Sequence, residues 1–170
     1  MMMRIGLLSD THGFLDRKIF HYFKDCDEVW HAGDLGSKEV YEQLNNFKNF
    51  RGVYGNIDGA ELRLALKPEL IFEIENMKIW ITHIAGFPPR YTPDIKKRLA
   101  VVNTNLLVCG HSHILRIMPD KNLSDFLYLN PGAAGLQGFQ KVRTLVRFTI
   151  SDKKISDLQV IELDRKDLPE

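Results

Sequence analysis

The sequence predicts an α/β fold in which two mixed β-sheets pack as a sandwich with helices on the outside. Three observations predict it. Short apolar runs alternate with segments of helical periodicity through the first third of the chain. A hairpin then interrupts that alternation. The chain finishes on a pair of long strands around a polar turn.

The elements follow in order. Arg4 to Ser9 reads as a first buried strand, ending at Asp10-Thr11-His12-Gly13. Asp16 to Lys24 carries Ile19, Phe20 and Phe23 at helical spacing. Val29 to Ala32 is a second strand, closed by Gly33-Asp34, and Ser37 is a helix N-cap ahead of Val40, Tyr41 and Leu44. Phe50 to Tyr54 is a third strand, ending at Gly55-Asn56-Ile57-Asp58. Strand, helix, strand, helix, strand is a parallel start with right-handed crossovers. Leu70 to Glu75 and Lys78 to Thr82 flank Asn76-Met77 as a hairpin, and His83 follows its second strand. Thr92-Pro93-Asp94 opens a helix that runs to about Val102. Leu106 to Cys109 is a fully apolar strand that runs into Gly110-His111-Ser112-His113, where Gly110 is expected to allow a sharp turn. Short strands at Leu115–Met118 and Phe126–Leu129 come next, then Arg143–Ile150 and Ile155–Leu163 around Ser151 to Lys154. Val146, Phe148 and Ile150 alternate with Arg147 and Thr149, which predicts one solvated face.

The length of 170 residues suits one domain, expected over 1–165 with a short tail at 166–170. A net charge of +1 gives no basic field for nucleic acid. No apolar run reaches membrane-spanning length, and Met1-Met2-Met3-Arg4 leads straight into a strand, so a cytoplasmic protein is expected. Cys26 and Cys109 are too few and too far apart for a disulfide framework. A homo-oligomer stays open.

Seven residues with ligand chemistry stand just after predicted strands: Asp10 and His12, Asp34, Asn56, His83, and His111 with His113. Taken singly, each has an ordinary explanation: Asp10 or Asp34 as a turn former or helix cap, Asn56 as a turn residue. Taken together at strand ends, where sites of α/β sheets form, they exceed what one metal needs and suit two. Imidazole, carboxylate and amide oxygen without thiolate favour Mn²⁺, Fe, Ni²⁺ or Zn²⁺.

The ordered set Asp10-x-His12, Gly33-Asp34, Gly55-Asn56, His83 and Gly110-His111-x-His113 resembles the calcineurin-like metallophosphoesterases. It is similar to their compact phosphodiesterase branch, which includes the retromer subunit Vps29. The resemblance implies the α-β-β-α fold of that family and two divalent metal ions, Mn²⁺ first among them. One ion falls to Asp10, His12 and His113 and the other to Asn56, His83 and His111, with Asp34 bridging. It makes Asp34, Asn56 and His111 the catalytic members. It also implies a metal-bridging hydroxide as nucleophile against a small-molecule phosphate ester.

Many larger relatives carry histidine where Ile57 stands, and Ile57 can neither protonate a leaving group nor stabilise charge. Asp58 reads as a supporting residue, His31 as core or support for the ligands, and His21 as surface. Lys141 and Arg143 read as solvated strand-end charges rather than phosphate contacts. Asn130-Pro131-Gly132-Ala133 reads as a loop near the site. Three functions stand side by side: a metal-dependent phosphodiesterase, a phosphomonoesterase or nucleotidase, and a Vps29-like metal-binding scaffold for protein partners.

Overall fold

The structure, a computed structural model, describes residues 1–165. The expected tail at 166–170 lies outside them. The strands are β1 (Met3–Leu8), β2 (Glu28–His31), β3 (Asn49–Gly52), β4 (Glu69–Ile74), β5 (Met77–Thr82), β6 (Gly86–Phe87), β7 (Arg90–Tyr91), β8 (Leu106–Val108), β9 (Leu115–Pro119), β10 (Leu127–Pro131), β11 (Val142–Ser151) and β12 (Lys154–Asp164). The helices are α1 (Lys18–Tyr22), α2 (Lys38–Phe47), α3 (Ala60–Ala65) and α4 (Pro93–Val102).

Two five-stranded mixed sheets form the body. The first has the order β12-β11-β1-β2-β3, with β1, β2 and β3 parallel and β11 antiparallel to β1. The second has the order β4-β5-β8-β10-β9, with β5, β8 and β10 parallel. Between them lies one apolar layer, in which Ile5, Leu7, Trp30, Val146 and Phe148 of the first sheet meet Ile79, Ile81, Leu106, Val108 and Leu129 of the second. Helices cover the outer faces. Val40 and Leu44 of α2 and Leu62 of α3 pack with Leu8, Val29 and Leu145. Ile95 and Leu99 of α4 pack with Trp80, Leu107 and Tyr128. The layers are therefore α-β-β-α, as expected.

Local chemistry explains the boundaries. Ser37 caps α2, its side chain accepting the Val40 N–H at 3.3 Å. The β4–β5 hairpin turns on Glu75 and Asn76, both at positive φ, and α4 ends on Asn103 in the left-handed conformation. Two elements fall outside the expectations: α3, six residues long with only Leu62 buried, and the two-residue ribbon β6–β7 around Pro88-Pro89.

Two expectations are corrected. The outer face of β11 is not solvated: Thr149 is buried, and Arg147 donates to the Tyr22 carbonyl of α1, which covers that face. Arg143 is no solvated charge. It is fully buried, with Nη2 2.9 Å from Asp16 Oδ2 and 2.8 Å from the Asp164 carbonyl. Parallel strands and right-handed crossovers leave the carboxyl ends of β1, β2, β3, β5 and β8 at one rim of the sandwich, where all seven candidate ligands stand.

Candidate metal centre

The loops that leave these strands are stitched together by their backbones. Asp10 N–H donates to the Gly33 carbonyl at 3.0 Å, His12 N–H to Asp34 at 3.0 Å, and Gly110 N–H to His83 at 3.0 Å. Asp10, His12, Asp34, His111 and His113 all have positive φ, between 47° and 70°. That conformation is uncommon for residues with a Cβ and turns successive side chains inward, at a cost the surrounding packing offsets.

Two groups of ligand atoms result, Asp10 with His12 and His113, and Asp34 with His83 and His111; within each, the atoms lie within 4.8 Å of one another. Asn56 adjoins the second, its Oδ1 3.0 Å from His83 Nε2 and 3.0 Å from His111 Nδ1. Asp34 Oδ2 lies 3.2 Å from His83 Nε2 and 3.7 Å from His12 Nε2, so it touches both groups. The seven residues are thus brought together.

The buried polar atoms sharpen this. Asp10 Oδ2 accepts from Ser9 Oγ at 2.7 Å and from the His111 N–H at 3.1 Å. Asp10 Oδ1 is buried without any hydrogen-bond partner, while Nε2 of His113, His12 and His83 stand 3.2, 3.8 and 4.0 Å away. His12 Nε2 and His113 Nε2 face each other at 3.2 Å. Lone pairs and a bare carboxylate oxygen converging on one space fit a divalent cation, which satisfies all of them at once.

The supports set the tautomers. His83 Nδ1 is 2.8 Å from the Ala32 carbonyl, which can only accept, so its Nε2 is left for the site. Gln140 Oε1 does the same for His113 Nδ1 at 3.2 Å. Asp58 accepts the N–H groups of Leu35, Gly36 and Gly55 at 3.2, 2.8 and 2.8 Å, tying the Asp34 loop to the Asn56 loop. His31 accepts the Gly33 N–H on Nδ1 at 3.1 Å, and its Nε2 meets Thr11 Oγ1 at 3.0 Å. Complete burial pushes its pKa down to about 3, so it is a neutral strut.

The motif glycines are explained by space. A Cβ on Gly55 would lie 2.0 Å from Asp34 Oδ1, and one on Gly110 would lie 2.1 Å from Ser9 Oγ and 2.6 Å from Asp10 Oδ2. The sharp turn expected at Gly110 falls instead on His111 and His113, and Gly110 makes room for the Asp10 carboxylate.

Two supporting residues escape a sequence reading, Gln140 and Arg63. The Arg63 side chain donates to the carbonyls of Asp58, Gly55 and Asn56, at 2.6, 3.2 and 3.3 Å, bracing the Asn56 turn. Only folding brings Gln140 to His113, and no spacing announces it.

Electrostatics follow the geometry. Burial pushes the Asp10 carboxyl up, but the close imidazoles of His113, His12 and His83 outweigh it and hold it well below the usual range. Asp34 is lowered too: burial opposes the shift and His83 prevails. The His113 pKa is raised, chiefly by the Asp10 carboxylate beside it, and that of His83 is raised because Asp34 and Asp10 overcome burial. Protons therefore compete with a cation for both imidazoles below and somewhat above pH 6.5. Metal affinity should fall as pH drops through that window, and divalent-cation binding at pH 6 should release protons. Calorimetry in two buffers of different ionisation enthalpy measures the release; none would contradict it.

Residues 3–153 match the calcineurin-like phosphoesterase superfamily domain. A Methanocaldococcus jannaschii protein named a probable metallophosphoesterase is 30% identical over 167 residues, which cover 94% of this chain and 82% of that one. A phosphodiesterase of the same organism is 30% identical over 146 residues, 76% of this chain and 83% of its own. In fold alone, Vps29 of Entamoeba histolytica, solved in complex with zinc, is similar with a TM-score of 0.73 at 18% identity, over 95% of this chain and 99% of that one. No helix among the described residues is long and apolar enough to cross a membrane. With a domain match running from β1 to the β11–β12 turn, the chain belongs to the calcineurin-like phosphoesterase superfamily.

Proposed function

We propose that the chain is a metal-dependent phosphodiesterase whose seven strand-end residues hold two divalent cations, Mn²⁺ by preference. The observation that carries this is the buried, unpartnered Asp10 Oδ1, faced by the Nε2 atoms of His12, His83 and His113. Asp10, His12 and His113 would hold one cation, and Asn56, His83 and His111 the other. Asp34 would serve both through Oδ2, its Oδ1 being fixed by the Ile57 N–H at 3.1 Å. When bound, such cations supply Lewis acidity to a phosphoryl group and acidify water beside it.

The chain's own residues do the rest. Asp10 and Asp34 stay ionised and concentrate negative charge where the cations are needed. Ala32 and Gln140 keep the imidazole lone pairs of His83 and His113 pointed inward. Asn56 contributes an oxygen without charge, leaving the loaded site net positive toward a phosphate ester.

A diester is favoured over a dianionic monoester because added cations are scarce. Arg143 is buried against Asp16, and Arg63 is committed to three backbone carbonyls. The similarity to a protein named a phosphodiesterase supports the same choice. Two free, buried thiols, Cys26 and Cys109, fit a reducing compartment such as the cytoplasm.

The test is hydrolysis of matched aryl diesters and monoesters by metal-stripped protein with Mn²⁺, Ni²⁺, Zn²⁺ or Mg²⁺ restored. Diester cleavage should depend on metal and exceed monoester cleavage by about tenfold or more. The rate should drop steeply as leaving-group pKa rises, because the Ile57 side chain has no proton to donate. No turnover with any metal, despite bound equivalents, would move the chain to the scaffold reading.

A further inference from the structure

Three exposed isoleucines each directly follow a candidate ligand: Ile57 after Asn56, Ile84 after His83, and Ile114 after His113. Scattered apolar side chains are normal on a protein surface. Three of them next in sequence to candidate ligands make a set.

Phe139 completes it. The side chain is fully exposed, yet its loop is braced. Gln140, next in the chain, meets His113 Nδ1 through Oε1 and donates through Nε2 to the carbonyls of Gln137 and Gly135. Arg165 donates to the carbonyls of Gln140 and Leu136. Gly138 lies so close to His113 that a Cβ there would come within 2.3 Å of Nδ1. The loop is thus tied to a candidate ligand, and Phe139 stands at its tip. With Ile114 it lines a cleft of about 470 Å³ that also includes His111, Ser112, His113 and Gln140. No Lys, Arg, Asp or Glu lines this cleft among the described residues.

We propose that this cleft is the subsite for one ester group of the substrate, and that the substrates are phosphodiesters bearing an uncharged, apolar aryl or alkyl group. Phe139 and Ile114 are its specificity-determining residues. The inference rests on the phosphate-ester reading above. His111 and His113 themselves line the cleft, so a phosphoryl group held at them would have an ester arm beside its walls. What the walls then offer is aromatic and aliphatic surface, with one hydroxyl and one amide already engaged: Ser112 Oγ accepts from the Asn130 amide, and Gln140 holds His113. A charged ester arm finds no counter-ion there. An apolar arm removes the exposed faces of Phe139 and Ile114 from water.

Phenyl phosphate and methyl phosphate, titrated into Mn²⁺-loaded protein by calorimetry, share one phosphoryl group and differ only in the arm. Native protein should bind phenyl phosphate about tenfold more tightly. Phe139→Ser combined with Ile114→Ser should erase that preference and leave methyl phosphate affinity within about twofold, since both side chains are exposed and their replacement leaves the core intact. Equal affinities in native protein, or an equal loss for both ligands, would overturn the subsite while leaving the phosphate-ester reading standing. So would a Phe139-dependent dimer in sedimentation without ligand discrimination, which would assign the side chain to a contact between copies. If neither phosphate binds, the subsite falls, and the hydrolysis of aryl diesters decides the phosphate-ester reading separately.

Discussion

Asp34→Ala is expected to slow aryl diester hydrolysis about a thousandfold and to lower the bound Mn²⁺ stoichiometry, with the fold retained. Asp34 is singled out by position. Its Oδ2 is 3.2 Å from His83 Nε2 and 3.7 Å from His12 Nε2, one from each ligand group. Asp10 would remain, but its Oδ2 is committed to Ser9 and the His111 N–H, and its Oδ1 sits nearer His113, at 3.2 Å, than His83, at 4.0 Å. Charge and geometry can be separated with Asp34→Asn. That change keeps an oxygen for the Ile57 N–H and removes the negative charge, so it should retain part of the metal binding and less of the rate. Metal content by atomic emission and initial rates on one diester decide the matter. A rate within about tenfold of native for Asp34→Ala would remove Asp34 from the centre.

Much of this arrangement is legible in the sequence because the physics is local. Leu106 to Cys109 is apolar on every residue, so it reads as a strand buried on both faces; all four are buried, and the strand itself is Leu106–Val108. Ser37 announces a cap three residues before the N–H it accepts. The seven candidate ligands are visible because parallel topology places strand ends together, whatever the loops do in detail.

What the sequence hides depends on partners distant in the chain. Arg143 looks like a strand-end charge until Asp16, 127 residues away, is seen beside it. Gly110 suggests backbone freedom, whereas its role is set by the Asp10 carboxylate across the sheet. The α3 helix buries one side chain and leaves Leu64 exposed, so it has no periodicity to read.

The buried ion pair supplies the second large effect. Arg143→Met should destabilise the protein by about 3–5 kcal/mol, a fall in Tm of roughly 10 °C for a chain of this size. The Arg143 guanidinium has no exposure; it bonds Asp16 Oδ2 at 2.9 Å and the Asp164 carbonyl at 2.8 Å, and lies 5.5 Å from the Phe14 ring centroid. Methionine fills much of the space the stem occupied but leaves the buried Asp16 carboxylate without its counter-charge. Most of the loss therefore comes from an uncompensated charge rather than from a missing contact. The double variant Asp16→Leu with Arg143→Met separates the two. If the unpaired carboxylate dominates, the double variant should recover more than half of the lost stability, whereas additive losses would mean that packing and backbone bonds dominate. Asp16 Oδ1 also accepts the Lys18 N–H at 2.9 Å at the start of α1, so recovery should stop short of complete. Because this pair anchors the segment that follows His12, Arg143→Met should also weaken Mn²⁺ binding several-fold, whereas Arg143→Lys, which keeps a cation beside Asp16, should weaken it less.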